Sequence, residues 1–110
     1  MHTMKVQTKY YRLLKEGSKI IELRLFDEKR QQIKVGDQIE FSDLSNPEDT
    51  FAAQVVRLHH ASDFLDIGQK ITPTQAGFAS VEELVQVMGQ FYPLSAQKQY
   101  GVVGIEISRL

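Results

Sequence analysis

Gly17-Ser18-Lys19-Ile20-Ile21-Glu22-Leu23-Arg24-Leu25 marks the point where the chain changes period. Before it, Thr8 to Glu16 carries Tyr10, Leu13 and Leu14 at i, i+3 and i+4, the spacing of one helical face. Thr8 is suited to cap that helix, and Gly17 to stop it, because glycine enters the left-handed conformation that ends many helices. After Gly17, the aliphatic and β-branched run Ile20, Ile21, Leu23 and Leu25 predicts a strand. Side chains at i and i+2 of a strand share a face. Glu22 and Arg24 therefore point one way, and Ile21, Leu23 and Leu25 point to the core. Lys19 lies at the mouth of the strand and can turn to either side. A carboxylate between two cations stays ionised and orients them, and such cations can meet a phosphate or a carbonyl. The same three residues would equally make a surface ladder of ion pairs, worth only ~0–1 kcal/mol.

Outward from this stretch, Met4 and Val6 alternate with polar neighbours and predict a short strand. Asp27 to Lys34 is a charged connection, Val35-Gly36-Asp37 a turn, and Gln38 to Phe41 a further strand. Ser42 to Asp49, with Asn46-Pro47, reads as a loop. Thr50 to His59 reads as a regular strand, with Phe51, Ala53, Val55, Arg57 and His59 on one side. Ser62 starts a short helix carrying Phe64, Leu65 and Ile67, which Gly68 is placed to end. Ser80-Val81-Glu82-Glu83 is a capping box. The helix it opens carries Val81, Leu84, Val85 and Met88 on one face and stops near Phe91-Tyr92-Pro93. Gly101 to Leu110 is a last strand, so apolar that an interior or barrel-closing place is expected. Strands near both ends with helices between them predict a β-rich α+β domain with a closed or nearly closed barrel.

The 110 residues fit a single domain, 1–110, by the usual prior of ~100–200 residues each. Hydrophobic residues at 42% supply enough apolar surface for a core, which excludes disorder over the whole chain. With no cysteine, a disulfide scaffold, a cysteine nucleophile and any thiolate metal site are excluded. No apolar run approaches the ~20 residues of a membrane span. The polar stretch Met1 to Lys9 lacks the core of a signal peptide, so a cytoplasmic protein with no membrane partner is expected. The net charge of −1 hides an asymmetry. Residues 1–34 hold nine of the 13 basic and four of the 14 acidic side chains, a surplus of five positive charges. The remainder holds four basic against ten acidic, six negative. Such drift builds a phosphate-attracting face if the fold keeps the halves apart, and an ordinary surface if it mixes them.

Other chemistry is sparse. His59 and His60 are neighbours in a strand and face opposite ways, which does not suit one metal. His2 sits at a terminus where disorder is common. Asp63 and Asp66 suit the N-terminus of a helix. No phosphate-cradling glycine loop occurs, and no cofactor or metal is expected.

The pattern Gly17-x-Lys19-x-x-Glu22-x-Arg24 resembles the signature of the ASCH domain family, a branch of the PUA-like superfamily. Tyr10 to Glu16 resembles that family's first helix. Asp27 to Phe41, with Lys-Val-Gly-Asp-Gln-Ile-Glu-Phe, resembles the segment leading to its second strand. Phe91-Tyr92-Pro93 and Tyr100 to Ile107 resemble its closing helix and strand. The resemblance implies a five- to six-stranded mixed pseudo-barrel with helices packed at its openings. It also implies an RNA-binding cleft lined by Lys19, Glu22 and Arg24, with Gly17 letting the backbone turn into it. Lys9, Arg12 and Lys15 on the first helix would widen the basic footprint. Tyr92 and Tyr100 match aromatic positions of the family, as cleft residues or as packing. One branch is similar to a compact amidohydrolase acting on acylated cytidine, with a threonine three residues after the lysine and an acid before the last helix. Here Glu22 takes the threonine position, and Thr72 to Ala79 has no acid. The expected function is therefore RNA binding. The alternative is a small hydrolase acting on a modified nucleoside or RNA, with Lys19 and Glu22 as its reacting groups.

Overall fold

The computed structural model describes residues 1–110. The elements flanking Gly17 form where their spacing places them. Strand β1 (His2–Val6) leads into helix α1 (Thr8–Glu16), and Gly17, at φ +94°, ends α1 by donating its N–H to Leu13. Strand β2 (Ile21–Leu25) follows. The start of α1 differs from expectation. Gln7 holds the cap position, and Thr8, the first helical residue, donates its hydroxyl to Asp43 instead. Tyr11 and Leu14 are the buried pair of α1, while Tyr10 and Leu13 are half-buried.

Strand β3 (Gln38–Asp43) pairs in parallel with β1. The Ser42–Asp49 stretch is a tight hairpin rather than a loop, because strand β4 (Asn46–Ala61) begins opposite Asp43. The Asp43 carboxylate accepts from Ser45 N–H and holds that turn. The register of β4 against strand β5 (Val102–Arg109) slips between Val55 and Arg57. This bulge reverses the expected alternation, so Arg57 is exposed and Leu58 packs against the core. His59 then meets Glu106 at 2.8 Å, and His60 packs edge-on against Phe26. His2 is fixed within β1 and lies 2.8 Å from Asp37.

The sheet order is β1-β3-β4-β5-β2, so β5 is interior, as its apolar content requires. The result is a five-stranded mixed half-barrel with four helices, an α+β, β-rich fold. The remaining helices are α2 (Phe64–Lys70), α3 (Val81–Phe91) and α4 (Leu94–Tyr100). Gly68 lies inside α2, since a side chain there would press on Val81 and Leu84 of α3. The last helix, α4, had no clear apolar period to announce it.

One core cluster joins α1 to β1, β3, β4 and β5 around Phe41, Phe51 and Ile105. A second lies under α2 and α3, around Ile21, Leu23, Phe64 and Leu84. Ser80 caps α3, accepting from Glu83 N–H, while the Glu83 carboxylate reaches back to Ala79 N–H. Ser80→Ala is expected to lower unfolding stability by ~1 kcal/mol, read by urea denaturation. An unchanged midpoint would mean that this cap is redundant.

Candidate functional site

A half-barrel leaves two edges, and here they are β1 and β2. A cavity of about 230 Å³ opens between them, lined by Lys5, Val6 and Gln7 on one lip and Glu22, Leu23 and Arg24 on the other. Its apolar wall is made of Tyr10, Phe78, Met88, Phe91 and Tyr92. Polar groups converge on its floor. Lys19 and Glu22 are only 3% and 5% exposed, which excludes the surface ion-pair ladder. The Lys19 ammonium lies 3.1 Å from one Glu22 oxygen and donates to the Ala76 carbonyl at 2.9 Å. The other Glu22 oxygen accepts from Arg24 Nε at 2.7 Å, and Arg24 also donates to the Lys5 carbonyl at 2.8 Å. Arg24 thus ties one edge strand to the other.

The placement of Lys19 depends on a distant segment. Its ammonium sits 5.0 Å from the Tyr10 ring centre and 5.8 Å from that of Phe78. Gly77, at φ +90°, supplies the turn between Ala76 and Phe78. A side chain at Gly77 would press on the Lys19 stem at 3.2 Å.

Burial is the largest influence on both Glu22 and Arg24, and it opposes charge on each. The partners outweigh it. Lys19 and Arg24 hold the Glu22 carboxyl below its ordinary value, and Glu22 holds the Arg24 guanidinium above its own. The Tyr10 phenol is raised by burial, with Glu83 and Glu22 adding to the effect, so it stays a neutral donor. An ammonium has three N–H donors and a guanidinium five. Two oxygens hold Lys19, and Glu22, the Lys5 carbonyl and the Tyr92 side chain lie against Arg24, so each cation keeps donors to offer a ligand.

The structure brings Lys19, Glu22, Arg24 and Tyr92 to the cavity wall. It keeps Gly17 away, where it acts one step removed by ending α1 before Lys19. Tyr100 packs in the second core cluster. Lys9, Arg12 and Lys15 are outside the lining, and Lys15 is engaged with Asp49 at 2.6 Å. Sequence reading missed Lys5, Gln7, Tyr10 and Phe78 as lining residues. Phe78 carries no local signal, since only the tertiary fold brings it to Lys19. No group of three or more His, Cys, Asp or Glu side chains is placed to hold a metal ion. No helix is long and apolar enough to cross a membrane.

The ASCH domain family model matches residues 4–110. The crystal structure of hypothetical protein PH0355 superposes with a TM-score of 0.86 at 39% identity, over 98% of this chain and 97% of that one. The solution structure of protein PF0455 from Pyrococcus furiosus gives 0.77 at 36% identity, over 99% and 96%. No curated protein matches the chain.

Proposed function

Because the chain belongs to the ASCH domain family, whose members are generally thought to bind RNA, we propose that it is a single RNA-binding domain whose β1–β2 cleft takes one unit of a single strand. The observation that carries this reading is the pair of cations organised around one buried carboxylate in an aromatic-walled cavity. The cavity, about 230 Å³, lies just below the ~300–1,000 Å³ of pockets that enclose drug-sized ligands, a size for one nucleoside. Lys19 is deep and suits a base carbonyl. Arg24, 14% exposed along its side chain, stands nearer the mouth and suits a phosphate, which it can meet with two parallel N–H groups. Tyr10, Phe78 and Tyr92 offer faces for stacking. The hydrolase alternative is less favoured by the charges. A carboxylate held ionised by two cations is a weak proton-transfer group at neutral pH.

The test is fluorescence anisotropy of a labelled single-stranded RNA pool at two salt concentrations, with the RNA checked for cleavage or modification. Wild type is expected to bind with steep salt dependence and leave the RNA intact. Arg24→Gln is expected to weaken binding by ~10–100-fold, the equivalent of ~1.5–3 kcal/mol for a charged hydrogen bond. It should also reduce the salt slope by about 0.7, one single-strand phosphate. Circular dichroism confirms that the variant is folded. Equal binding by folded Arg24→Gln would overturn the reading, and altered RNA would turn it to catalysis.

A further inference from the structure

The cleft is bordered by sheet edges, and one edge carries main-chain groups without a partner. Ile107 N–H donates to the Ile20 carbonyl and Phe26 N–H to that of Gly101, which sets the hydrogen-bonding parity of β2 at both ends. Along an antiparallel strand, successive residues turn their N–H and C=O to opposite sides. Glu22 and Arg24 therefore face β5, while Ile21, Leu23 and Leu25 turn theirs to the open edge. The other side of β5 agrees. Leu110 N–H donates to the Ala52 carbonyl, so even-numbered residues face β4 and odd-numbered ones face β2.

Of the three edge residues, Leu23 is the one that lines the cavity. It is 3% exposed, and β2 has no second strand neighbour. Buried main-chain donors and acceptors nearly always have partners. With no protein partner at a cavity wall beside the cation cluster, the Leu23 N–H and C=O are free to meet a ligand's own acceptor and donor.

We propose that the Leu23 N–H and C=O read the Watson–Crick edge of one unpaired nucleobase held in the cleft. This rests on the RNA-binding reading above and names what that site recognises. Every base presents a donor and an acceptor side by side on that edge, and each is engaged in a duplex. The contact thus demands an unpaired base. An incoming peptide strand fits less well, because strand addition needs a free run of edge. Here the Arg24 guanidinium bridges the gap to Lys5.

Amide hydrogen exchange and nitrogen–proton NMR on the intact chain test this, with a short single-stranded oligoribonucleotide and the same strand annealed to its complement. The Leu23 amide is expected to exchange quickly in the free protein. With the single strand its exchange should slow by about tenfold or more and its resonance should shift; the duplex should do neither. If the Lys19 and Arg24 side-chain resonances shift while Leu23 exchange is unchanged, RNA binding stands and the main-chain contact is overturned. If none of the three responds, RNA binding itself fails, and this contact with it. Equal protection by the duplex overturns the proposal. So does protection of both Leu23 and Leu25 by an extended peptide but not by RNA, which would assign strand addition.

Discussion

Glu22→Gln is expected to lower unfolding stability by ~3–5 kcal/mol at neutral pH. Glutamine keeps the shape and removes the charge. Lys19, 3% exposed, would then be a buried ammonium without a counter-charge, and Arg24 would lose the carboxylate that orients it. Transfer of an unpaired charge from water is the dominant penalty. An exposed pair such as Lys70–Asp66 contributes only ~0–1 kcal/mol, because water solvates either partner alone. The measurement is urea denaturation of both proteins across pH. Glu22 has a folded pKa below its unfolded one. Its contribution is therefore complete above the usual carboxylate range and is lost as pH falls through the depressed folded value. Wild type and variant should differ most near neutrality and converge on acidification. A loss below about 1 kcal/mol at pH 7 would mean that the three groups are solvated, contrary to their burial.

Phe41→Ala is expected to have an effect of the same size, ~3–5 kcal/mol, by a different route. Phe41 is fully buried on β3 and stacks on Phe51 at 5.3 Å, which in turn packs against Tyr11 of α1 at 5.6 Å. Removing the ring takes away transfer energy and leaves a cavity that close-packed neighbours fill only in part. Thermal denaturation followed by circular dichroism reads the loss. Phe41 is outside the cleft lining, so RNA binding well below the melting transition should be retained. A loss below about 1 kcal/mol would mean that α1 can collapse onto the sheet to refill the space. The two substitutions separate the group that organises the site from the packing that carries it.

Much of the site's chemistry was legible locally. The i, i+2 rule put Glu22 and Arg24 on one face of β2, and they are ion-paired at 2.7 Å. Lys19 at the strand mouth was close enough in sequence to join them. What misled was each place where a longer-range partner overrode local chemistry. Thr8 looks like a cap, but its hydroxyl serves Asp43 on β3. Gly68 looks like a stop, but it admits α3 against α2. The regular alternation of Thr50 to His59 hides a bulge at Val56, which is set by the register with β5. Of the three basic residues on α1, Lys15 alone is paired with an acid, Asp49 of the β3–β4 hairpin.

Local patterns were enough to set the helix-to-strand switch at Gly17, the β-rich α+β class, the interior last strand and the shared face of Glu22 and Arg24. Each of these depends on periodicity, a left-handed glycine or short spacing, all of which are local properties of the chain. Tertiary structure decided whether those charges are a surface ladder or a buried cluster. It did so by folding Ala76, Gly77 and Phe78 over Lys19 and by leaving β1 and β2 unjoined as the lips of a cleft. Burial and closure depend on contacts between residues far apart in the chain, and no local pattern encodes them.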